Sequence, residues 1–406
     1  MTENRPVGAV GMQLLADRAA IQLPDYASGS IVNLMSSLLG ACGGPASGYA
    51  PLRELPPEEI RQYRQVVLMV VDGLGDDLLA RIGPDSNLLR HRRCRLTSVF
   101  PSTTASAITS FLTGTAPRQH GVTGWHMYLR ELGAVLAILP GRPRYGGISL
   151  SKAGVDVVSL LGHRPLFDLL RVSSVVVTPR PIARSDYNRS HLGRARLADF
   201  GDMNEFFRKI TQALQGNRRR RFVYAYWSEL DHIAHEAGSV SAETERHLND
   251  WDRAFGCFLD EAAGTDTLVL VTADHGFIDI DEDRVIHLSE HPEWEDCLSL
   301  PLCGEPRAAY AYVRPQRVRA FEAYVSGHLG EYLHLYRSED LIQQGWFGAG
   351  STHPRLADRI GDYTLVMKEG YVVRDRLPSE KPFQQRGVHG GVSAAEMWVP
   401  LSVIGV

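Results

Sequence analysis

Four hydroxyl residues lie where an extended segment turns into an apolar, helix-like one, in VFPSTTASAITSFLTG at positions 99–114. They are Ser102, Thr103, Thr104 and Ser106. With Pro101 restricting the chain and a helix beginning around Thr104, the first backbone N–H groups of that helix would lack intrahelical partners. Such groups bind anions, including phosphoryl oxygens. The segment therefore predicts either an ordinary helix cap or a hydroxyl nucleophile that faces an anionic group.

Carboxylate and imidazole side chains follow three apolar runs of the chain. Asp72 follows QVVLMVV, Asp231 comes just after FVYAYW, and the pair Asp274-His275 comes just after TLVLVT. Runs of this kind are typical of strands buried on both faces of a parallel sheet. In an open α/β sheet, ligands bind beyond the carboxyl ends of the strands. Any one of these aspartates can be an ordinary turn residue, but together they predict a shared site.

Two further histidines extend this set of candidate ligands. Asp231 and His235 are four residues apart in SELDHIAHEAG, so on a helix they share one face and can bind the same ion. His389 lies in GVHGGVS, where the glycines give the backbone unusual freedom. The neighbouring His232 would point elsewhere, and we expect it to be partly exposed.

The candidate ligands comprise three carboxylates and three imidazoles, without a thiolate. They are Asp72, Asp231, His235, Asp274, His275 and His389. This mixture suits Zn²⁺, and its geometry also admits Mn²⁺, Fe²⁺ or Co²⁺. Six side chains are too many for one catalytic ion and suit two ions about 4 Å apart. Such a pair predicts an in-line displacement at phosphorus, with a metal-activated Ser or Thr hydroxyl as the nucleophile.

The elements that must position these residues alternate between strands and helices. Apolar runs predict strands at 65–71, 95–100, 175–178, 222–227, 267–272 and 398–406, and helical spacing predicts helices at 203–214 and 243–262. The alternation predicts a doubly wound, mostly parallel central sheet flanked by helices. We expect residues 61–280 and 386–406 to form this catalytic domain, residues 1–60 an N-terminal arm packed on it, and residues 281–385 an inserted α+β cap.

The composition limits which binding partners and which cellular compartment we expect for the protein. The chain has 406 residues and a formal net charge of −4, which predicts no nucleic-acid partner and no general attraction to anionic lipid. Its five cysteines lack a C-x-x-C pair, which argues against a disulfide framework and a thiolate zinc site. Because no signal peptide or membrane-spanning run is recognisable, we expect a cytoplasmic protein with no membrane partner. DGLGDD lacks the third glycine of a dinucleotide-binding turn.

The order of the motifs resembles the alkaline phosphatase superfamily, most closely its type I phosphodiesterase/nucleotide pyrophosphatase branch. The shared motifs are Asp72 after a strand, FPSTTAS, TGTAPRQHG, ELDHIAHEAG, TADHGF and VHGG. They cover about residues 66–280 and resume at 387. The resemblance implies an alkaline phosphatase-like fold. It also implies a metal-dependent hydrolase of phosphodiester or pyrophosphate bonds, acting on a small phosphate-ester or nucleotide-like substrate.

The same resemblance assigns roles to the individual residues. The family pattern P-T-x-T places the nucleophile on Thr104, which would form a covalent phospho- or nucleotidyl-threonine intermediate. The resemblance further implies two divalent metal ions, each with its own ligands. One ion would be held by Asp231, His235 and His389, and the other by Asp72, Asp274, His275 and the Thr104 oxygen.

One departure from the family pattern bears on the substrate. Phosphodiesterases of this branch usually end the H-G-x-x-x-N stretch with an Asn that contacts a phosphoryl oxygen, whereas HGVTGWH places Trp125 there. Trp125, His126 and Tyr128 are our candidates for substrate contacts, and core packing is the alternative for the aromatic rings. The departure leaves three alternative functions open: a phosphonate C–P hydrolase, a phosphomonoesterase and a metal-binding homologue without turnover.

Overall fold

Two large β-sheets and the helices around them make up the structure, a computed structural model that describes residues 21–81, 85–215, 219–368, 370–378, 380 and 385–406. The strands are β1 Gln65–Val71, β2 Arg92–Thr97, β3 His126–Leu129, β4 Ala134–Ala137, β5 Arg142–Pro143, β6 Ser173–Pro179, β7 Arg196–Phe200, β8 Arg221–Trp227, β9 Thr267–Thr272, β10 Ile278–Asp279, β11 Val285–His287, β12 Cys303–Glu305, β13 Ala308–Ala311, β14 Leu333–Arg337, β15 Tyr363–Met367, β16 Val372–Arg374, β17 Gly387–Val388 and β18 Trp398–Gly405.

The α-helices connect and cover these strands. They are α1 Ile31–Ala41, α2 Pro57–Arg61, α3 Asp76–Leu79, α4 Asn87–Arg90, α5 Thr104–Thr113, α6 Pro117–His120, α7 Val157–Leu161, α8 Leu166–Leu169, α9 Asp186–His191, α10 Met203–Leu214, α11 Glu229–Ala237, α12 Ala242–Ala262, α13 Pro292–Glu295, α14 Val318–Tyr324, α15 Ser338–Gln343, α16 Leu356–Ile360 and α17 Ala394–Met397. Short 3-10 turns occur at Glu282–Arg284, Leu288–Glu290 and Pro315–Arg317, and a π-helical turn at Val325–Leu329. Among the described helices, none combines the length and the apolar character needed to cross a bilayer.

The central sheet has seven strands in the order β2-β18-β9-β1-β8-β6-β7. β1 pairs in parallel with β8 and β9, β6 pairs in parallel with β7 and β8, and β18 runs antiparallel between β2 and β9. Every residue of β1 and β9 is buried, as expected for strands covered by helices on both faces. The predicted doubly wound, mostly parallel α/β fold is confirmed.

Local sequence patterns predicted several elements with their exact bounds. β1, β9 and α10 begin and end where the apolar runs and helical spacing placed them. The strand predicted at 95–100 is displaced, because β2 covers Arg92–Thr97 and its pairing with β18 ends where Thr97 faces Trp398. Beyond Thr97 the chain leaves the sheet and leads to Pro101 and the start of α5.

A second seven-stranded sheet lies outside the doubly wound layer, with the order β14-β15-β13-β12-β3-β4-β5. Four of its strands, β12 to β15, come from the interval predicted to form an inserted cap. The other three, β3 to β5, come from residues that we had expected in the catalytic domain. The cap sheet, defined here as these seven strands, is therefore built from two separate segments of the chain.

Two facing glycines explain how the two segments of the cap sheet join. A Cβ at Gly124 would lie 2.7 Å from the Cα of Gly304, closer than side chains can approach a backbone. Gly304 itself has a φ of +80°, in the left-handed region that favours glycine. This close approach brings His126 of β3 opposite Gly304 of β12, where the two strands pair.

The described part of the N-terminal segment, from residue 21, packs on the central domain. Ten of the eleven residues of α1 are buried, and α1 contacts α5. Ser30 forms an isolated bridge with Thr97 at the end of β2. Residues 1–20 of the predicted arm lie outside the described residues.

The close contact between Gly124 and Gly304 predicts that a methyl group added at Gly124 destabilises the folded protein. Replacing Gly124 by Ala is expected to lower the free energy of unfolding by about 1–3 kcal/mol, the usual cost of overpacking. Gly327→Ala is the control, because a Cβ there meets nothing within 4 Å. Urea unfolding followed by circular dichroism measures both, and equal stability of the two variants would contradict this account of the cap sheet.

Candidate active site

The carboxyl ends of three neighbouring strands bring the predicted ligands to one edge of the central sheet. Asp72 follows β1, Asp274 comes just after β9, and α11, which carries Asp231, comes just after β8. Because β1 lies between β8 and β9, these side chains converge. The backbone N–H of Gly73 donates to Asp274 Oδ1 at 3.1 Å and ties two of the strand ends together.

Asp72, Asp274 and His275 form a first group of donor atoms. His275 Nε2 lies 3.3 Å from Asp72 Oδ1 and 3.5 Å from Asp274 Oδ2. The three ligand atoms lie within 4.8 Å of one another, and all three residues are buried. The other oxygen of Asp72 accepts a hydrogen bond from the Tyr226 hydroxyl. Asp72 Oδ1 is therefore left without this hydrogen bond and faces His275.

Asp231 belongs to a second group that adjoins the first. Its Oδ1 lies 3.5 Å from His235 Nε2, one turn away on α11 as the spacing predicted, and 3.8 Å from His389 Nε2. It also lies 4.0 Å from His275 Nε2, and the His275 ring stacks on His389 with 3.6 Å between centroids. His235 Nδ1 donates to the Gly387 carbonyl at 2.8 Å, which leaves its Nε2 for Asp231.

The ligand groups overlap at His275, which is not how the family resemblance divided them. Asp231, His275 and His389 each offer an atom within 4.8 Å of the others. The resemblance placed His235 with Asp231 and His389, and His275 with the other ion. His235 is close to Asp231, but its ring centroid is 5.1 Å from that of His389. His275 thus lies between the two groups.

Three carboxylate oxygens in this site are buried without a hydrogen-bond partner among the described residues. They are Asp72 Oδ1, Asp231 Oδ1 and Asp274 Oδ2. A buried, unpaired carboxylate oxygen is costly unless a cation neutralises it. Oxygen and imidazole donors at these distances fit divalent cations such as Zn²⁺, so the residues present fit the predicted ions.

The pKa values of the site residues also indicate that a cation must neutralise the buried carboxylates. Burial raises the pKa of Asp72, with the charge of Asp231 adding to the effect, and burial raises the pKa of Asp274, with Asp72 adding to it. Burial raises the pKa of Asp231 to about 7. It lowers the pKa of His389 and of His235. A divalent cation would instead favour ionised carboxylates and neutral imidazoles, which are the forms that bind metal.

Thr104 is the hydroxyl residue that the fold directs at these ligands. It is the first residue of α5, as predicted, and its Oγ1 lies 3.1 Å from His275 Nε2. The side chain is largely buried, with 9% of the residue exposed. The positive end of the α5 dipole and its free N-terminal amides lie beside this hydroxyl. The position suits a nucleophile that attacks an anionic phosphoryl group.

The hydroxyls of Ser102 and Thr103 do not face the ligands and instead form hydrogen bonds with other segments of the chain. Ser102 Oγ donates to the Gly391 carbonyl at 2.8 Å, and Thr103 Oγ1 donates to Glu305 Oε1 at 2.6 Å. Thr103 is the N-cap residue of α5, but its side chain makes no capping hydrogen bond. Neither hydroxyl therefore caps α5 through its side chain, because both bind residues distant in sequence.

The loop that carries His389 is fixed from several sides. His389 Nδ1 donates to the Ser102 carbonyl at 3.3 Å, and the Gly391 N–H donates to Glu396 Oε1 at 2.8 Å. Glu396 also forms a capping box with Ser393 at the start of α17. Arg307, in the turn that joins β12 to β13 of the cap sheet, pairs with the same carboxylate at 2.9 Å, and both partners are fully buried. This ion pair couples the cap sheet to the His389 loop.

Glu305 is a residue of this site that the sequence did not reveal. Its Oε1 accepts hydrogen bonds from Thr103 Oγ1 and from the backbone N–H of Trp125, both at 2.6 Å. Burial raises the pKa of Glu305 to about 7. The available signal was an acidic residue that directly follows the uncharged residues PLCG. The amide of Trp125 is thus already engaged, and its ring is 38% exposed.

The other predicted substrate contacts lie in different surroundings. Burial and the nearby Arg144 lower the pKa of His126 to about 3. The Tyr128 ring packs edge-to-face on Tyr312, with 5.4 Å between centroids, against the core of the cap sheet. His232 has a 61% exposed side chain, as expected for a residue that points away from the ligands on α11.

The fold and the site together define a class of protein. A doubly wound α/β sheet that presents carboxylates, imidazoles and a helix-terminal Thr at one edge is the architecture of the alkaline phosphatase superfamily. Residues 66–391 match the model of the family described as type I phosphodiesterase / nucleotide pyrophosphatase. The chain belongs to this family, which confirms the predicted resemblance and supports a phosphodiester hydrolase. No curated protein matches the sequence.

Solved structures share the fold at low sequence identity. Murine ectonucleotide pyrophosphatase / phosphodiesterase 5 superimposes with a TM-score of 0.64 at 16% identity, covering 84% of this chain and 88% of its own. The human protein of the same name gives a TM-score of 0.64 at 18% identity, covering 84% and 87%. An inactive variant of the murine protein in complex with AMP gives 0.62 at 16% identity, covering 83% and 87%.

The raised pKa of Asp231 predicts how its contribution to stability depends on pH. Its folded value of about 7 exceeds the unfolded value of about 3.9. The folded chain therefore binds this proton more tightly, and the stability that Asp231 contributes in metal-free protein is lost as pH rises towards 7. In chelator, Asp231→Asn is expected to gain stability relative to the natural chain by on the order of 1–2 kcal/mol between pH 5 and pH 7.

Urea unfolding at pH 5, 6, 7 and 8 measures this difference. Asp250→Asn is the matched control, because Asp250 lies on α12 with a 52% exposed side chain, away from the ligand groups. Its stability difference from the natural chain is expected to change little over the same range. A difference for Asp231→Asn that is equally independent of pH would contradict the account.

Proposed function

We propose that the chain is a two-metal hydrolase of phosphodiester or pyrophosphate bonds, with Thr104 as its nucleophile. The observation that carries this proposal is the position of the Thr104 hydroxyl, 3.1 Å from His275 Nε2 and at the N-terminus of α5. His275 in turn borders both groups of candidate ligands. Membership of the type I phosphodiesterase / nucleotide pyrophosphatase family supports the reaction class.

The candidate ligands divide between two divalent ions, with Zn²⁺ as the ion that the donor set suits best. Asp72, Asp274 and His275, with Thr104, would hold one ion, and Asp231, His235 and His389 the other. When bound, the ions supply the positive charge that lowers the hydroxyl pKa and neutralises the phosphoryl and leaving-group oxygens. The unpartnered carboxylate oxygens support this assignment.

Residues of the chain itself carry out the other steps of the proposed reaction. The Thr104 oxygen attacks phosphorus in line, the bond to the leaving oxygen breaks, and a covalent phospho- or nucleotidyl-threonine forms. Water then cleaves this ester and regenerates the hydroxyl. The free amides at the start of α5 are placed to hold a phosphoryl oxygen, and the dipole of that helix favours negative charge there.

The substrate that we propose is a small, nucleotide-like phosphate ester. The murine protein with AMP bound supports this choice by its similarity in fold. Trp125 is 38% exposed and its backbone N–H binds Glu305, so its ring would offer a surface near the site on which an aromatic group can stack.

A second candidate function follows from Trp125. The family's usual Asn is missing, and the Trp125 backbone amide donates to Glu305 instead of facing a ligand. This favours, as the alternative, a metal-binding homologue without turnover. Hydrolysis of bis(4-nitrophenyl) phosphate by zinc-loaded protein supports the enzyme, and its absence at full zinc occupancy supports the alternative.

Removing the proposed nucleophile tests the mechanism directly. Thr104→Ala is expected to lower kcat/KM for bis(4-nitrophenyl) phosphate by about 10³-fold or more, because the attacking oxygen is lost. Thr104→Ser keeps a hydroxyl and is expected to retain measurable activity. Zinc content is measured in parallel, and full activity of a zinc-loaded Thr104→Ala protein would exclude this nucleophile.

Two histidines on one helix provide a matched test of the metal ligands. His235→Ala is expected to reduce bound zinc from two ions towards one per chain, since His235 Nε2 faces Asp231. His232→Ala changes the same residue type on the same helix, but at an exposed position, and is expected to keep both ions. Elemental analysis after dialysis counts the zinc, and equal losses in both variants would rule out a specific role for His235.

A further inference from the structure

Glu305 places a carboxylate next to the nucleophile without being one of the candidate ligands. It lies at the end of β12 and is 8% exposed. Its hydrogen-bond donors are Thr103, directly before Thr104, and Trp125, at the position of the family's usual Asn. A Cβ at Gly390 would lie 2.8 Å from the Cβ of Glu305, so this side chain also packs against the loop that carries His389.

The hydrogen bonds of Glu305 are those of an ionised carboxylate. A single oxygen, Oε1, accepts from both the Thr103 hydroxyl and the Trp125 amide at 2.6 Å, and distances this short are typical of charge-assisted bonds. In the described part of the chain no cationic side chain forms an ion pair with Glu305. The nearby Arg307 binds Glu396 instead.

The second oxygen of Glu305, Oε2, is not held by a hydrogen bond from the described residues. Oε2 accepts no hydrogen bond from any described residue, yet it is not among the fully buried atoms without a partner. It therefore reaches solvent, next to the segment that carries the nucleophile.

This extra negative charge changes the charge balance of the site. The ligand carboxylates Asp72, Asp231 and Asp274 bring three negative charges, and two divalent ions would leave one positive charge in excess. Glu305 cancels that excess. A phosphate diester carries one negative charge, whereas a monoester at alkaline pH carries two, and the carboxylate of Glu305, which binds the residue next to the nucleophile, would repel the second charge.

We propose that Glu305 is a specificity-determining residue that favours phosphate esters with one negative charge over esters with two. The inference rests on the proposed function and narrows its substrate class to diesters and diester-like pyrophosphate bonds. Glu305 is suited to this role because its Oε1 is fixed by two hydrogen bonds while its charge has no counterion among the described side chains.

Substitutions of Glu305 that change either its charge or its length, but not both, test the proposal. Glu305→Gln keeps an acceptor oxygen for Thr103 and Trp125 but removes the charge, and Glu305→Asp keeps the charge. In zinc-loaded protein at pH 8.5, kcat/KM is measured for 4-nitrophenyl phosphate and bis(4-nitrophenyl) phosphate. We expect the monoester-to-diester ratio to rise at least tenfold in Glu305→Gln and to stay within threefold of the natural ratio in Glu305→Asp.

Equilibrium binding provides a readout that does not depend on turnover. In a Thr104→Ala background, calorimetry gives the dissociation constants of phenyl phosphate and diphenyl phosphate. Glu305→Gln is expected to tighten binding of phenyl phosphate at least tenfold relative to diphenyl phosphate. An equal effect on both ligands would mean that Glu305 only supports the loop, and this result would overturn the proposal.

The two proposals fail in distinguishable ways. If the natural protein hydrolyses neither ester at full zinc occupancy, the proposed function fails, and the binding comparison still decides the role of Glu305. If the natural protein hydrolyses the diester but Glu305→Gln leaves the ratio unchanged, the proposed function stands and only the charge selection by Glu305 is overturned.

Discussion

Buried negative charge at the carboxyl edge of the central sheet is the constraint on which the rest of the structure depends. Asp72, Asp231 and Asp274 each direct an oxygen into the site that no described residue hydrogen-bonds. Holding such groups out of water costs several kcal/mol each, so the backbone beneath them must resist rearrangement. The fully buried strands β1 and β9 provide this resistance, because their side chains are packed on both faces.

The same constraint extends into the cap sheet through charged and polar side chains. Arg307 and Glu396 form a fully buried ion pair, and Glu396 also holds the Gly391 amide. Removing either partner would leave the other charge buried without compensation. The position of His389 is therefore set jointly by the C-terminal turn, by Ser102 and by the turn between β12 and β13 of the cap sheet. The central sheet and the cap sheet are separate sheets, but both contribute residues that shape this one site.

Those parts of the site that depend on local patterns could be predicted from the sequence. Asp72 comes directly after an apolar run, and Asp231 and His235 have helical spacing, so their placement needed no knowledge of distant contacts. Thr104 needed the order of motifs, because four hydroxyls are locally equivalent. Glu305 was beyond reach, since it meets Thr103 across 202 residues, through a pairing of β12 with β3 that no local pattern encodes. The same pairing brings β3 to β5, which come from the interval 61–280, into the cap sheet.

The composite origin of the cap sheet has a consequence for how the chain can fold and diversify. β3 to β5 precede β6 to β9 of the central sheet, whereas β12 to β15 follow them. Deleting the later segment would remove β12 and leave β3 paired only with β4, so that its other edge would be unpaired and prone to aggregation. The cap is thus not a transferable module. Joining its two halves requires contacts between distant parts of the chain, and such contacts slow folding more than local ones do.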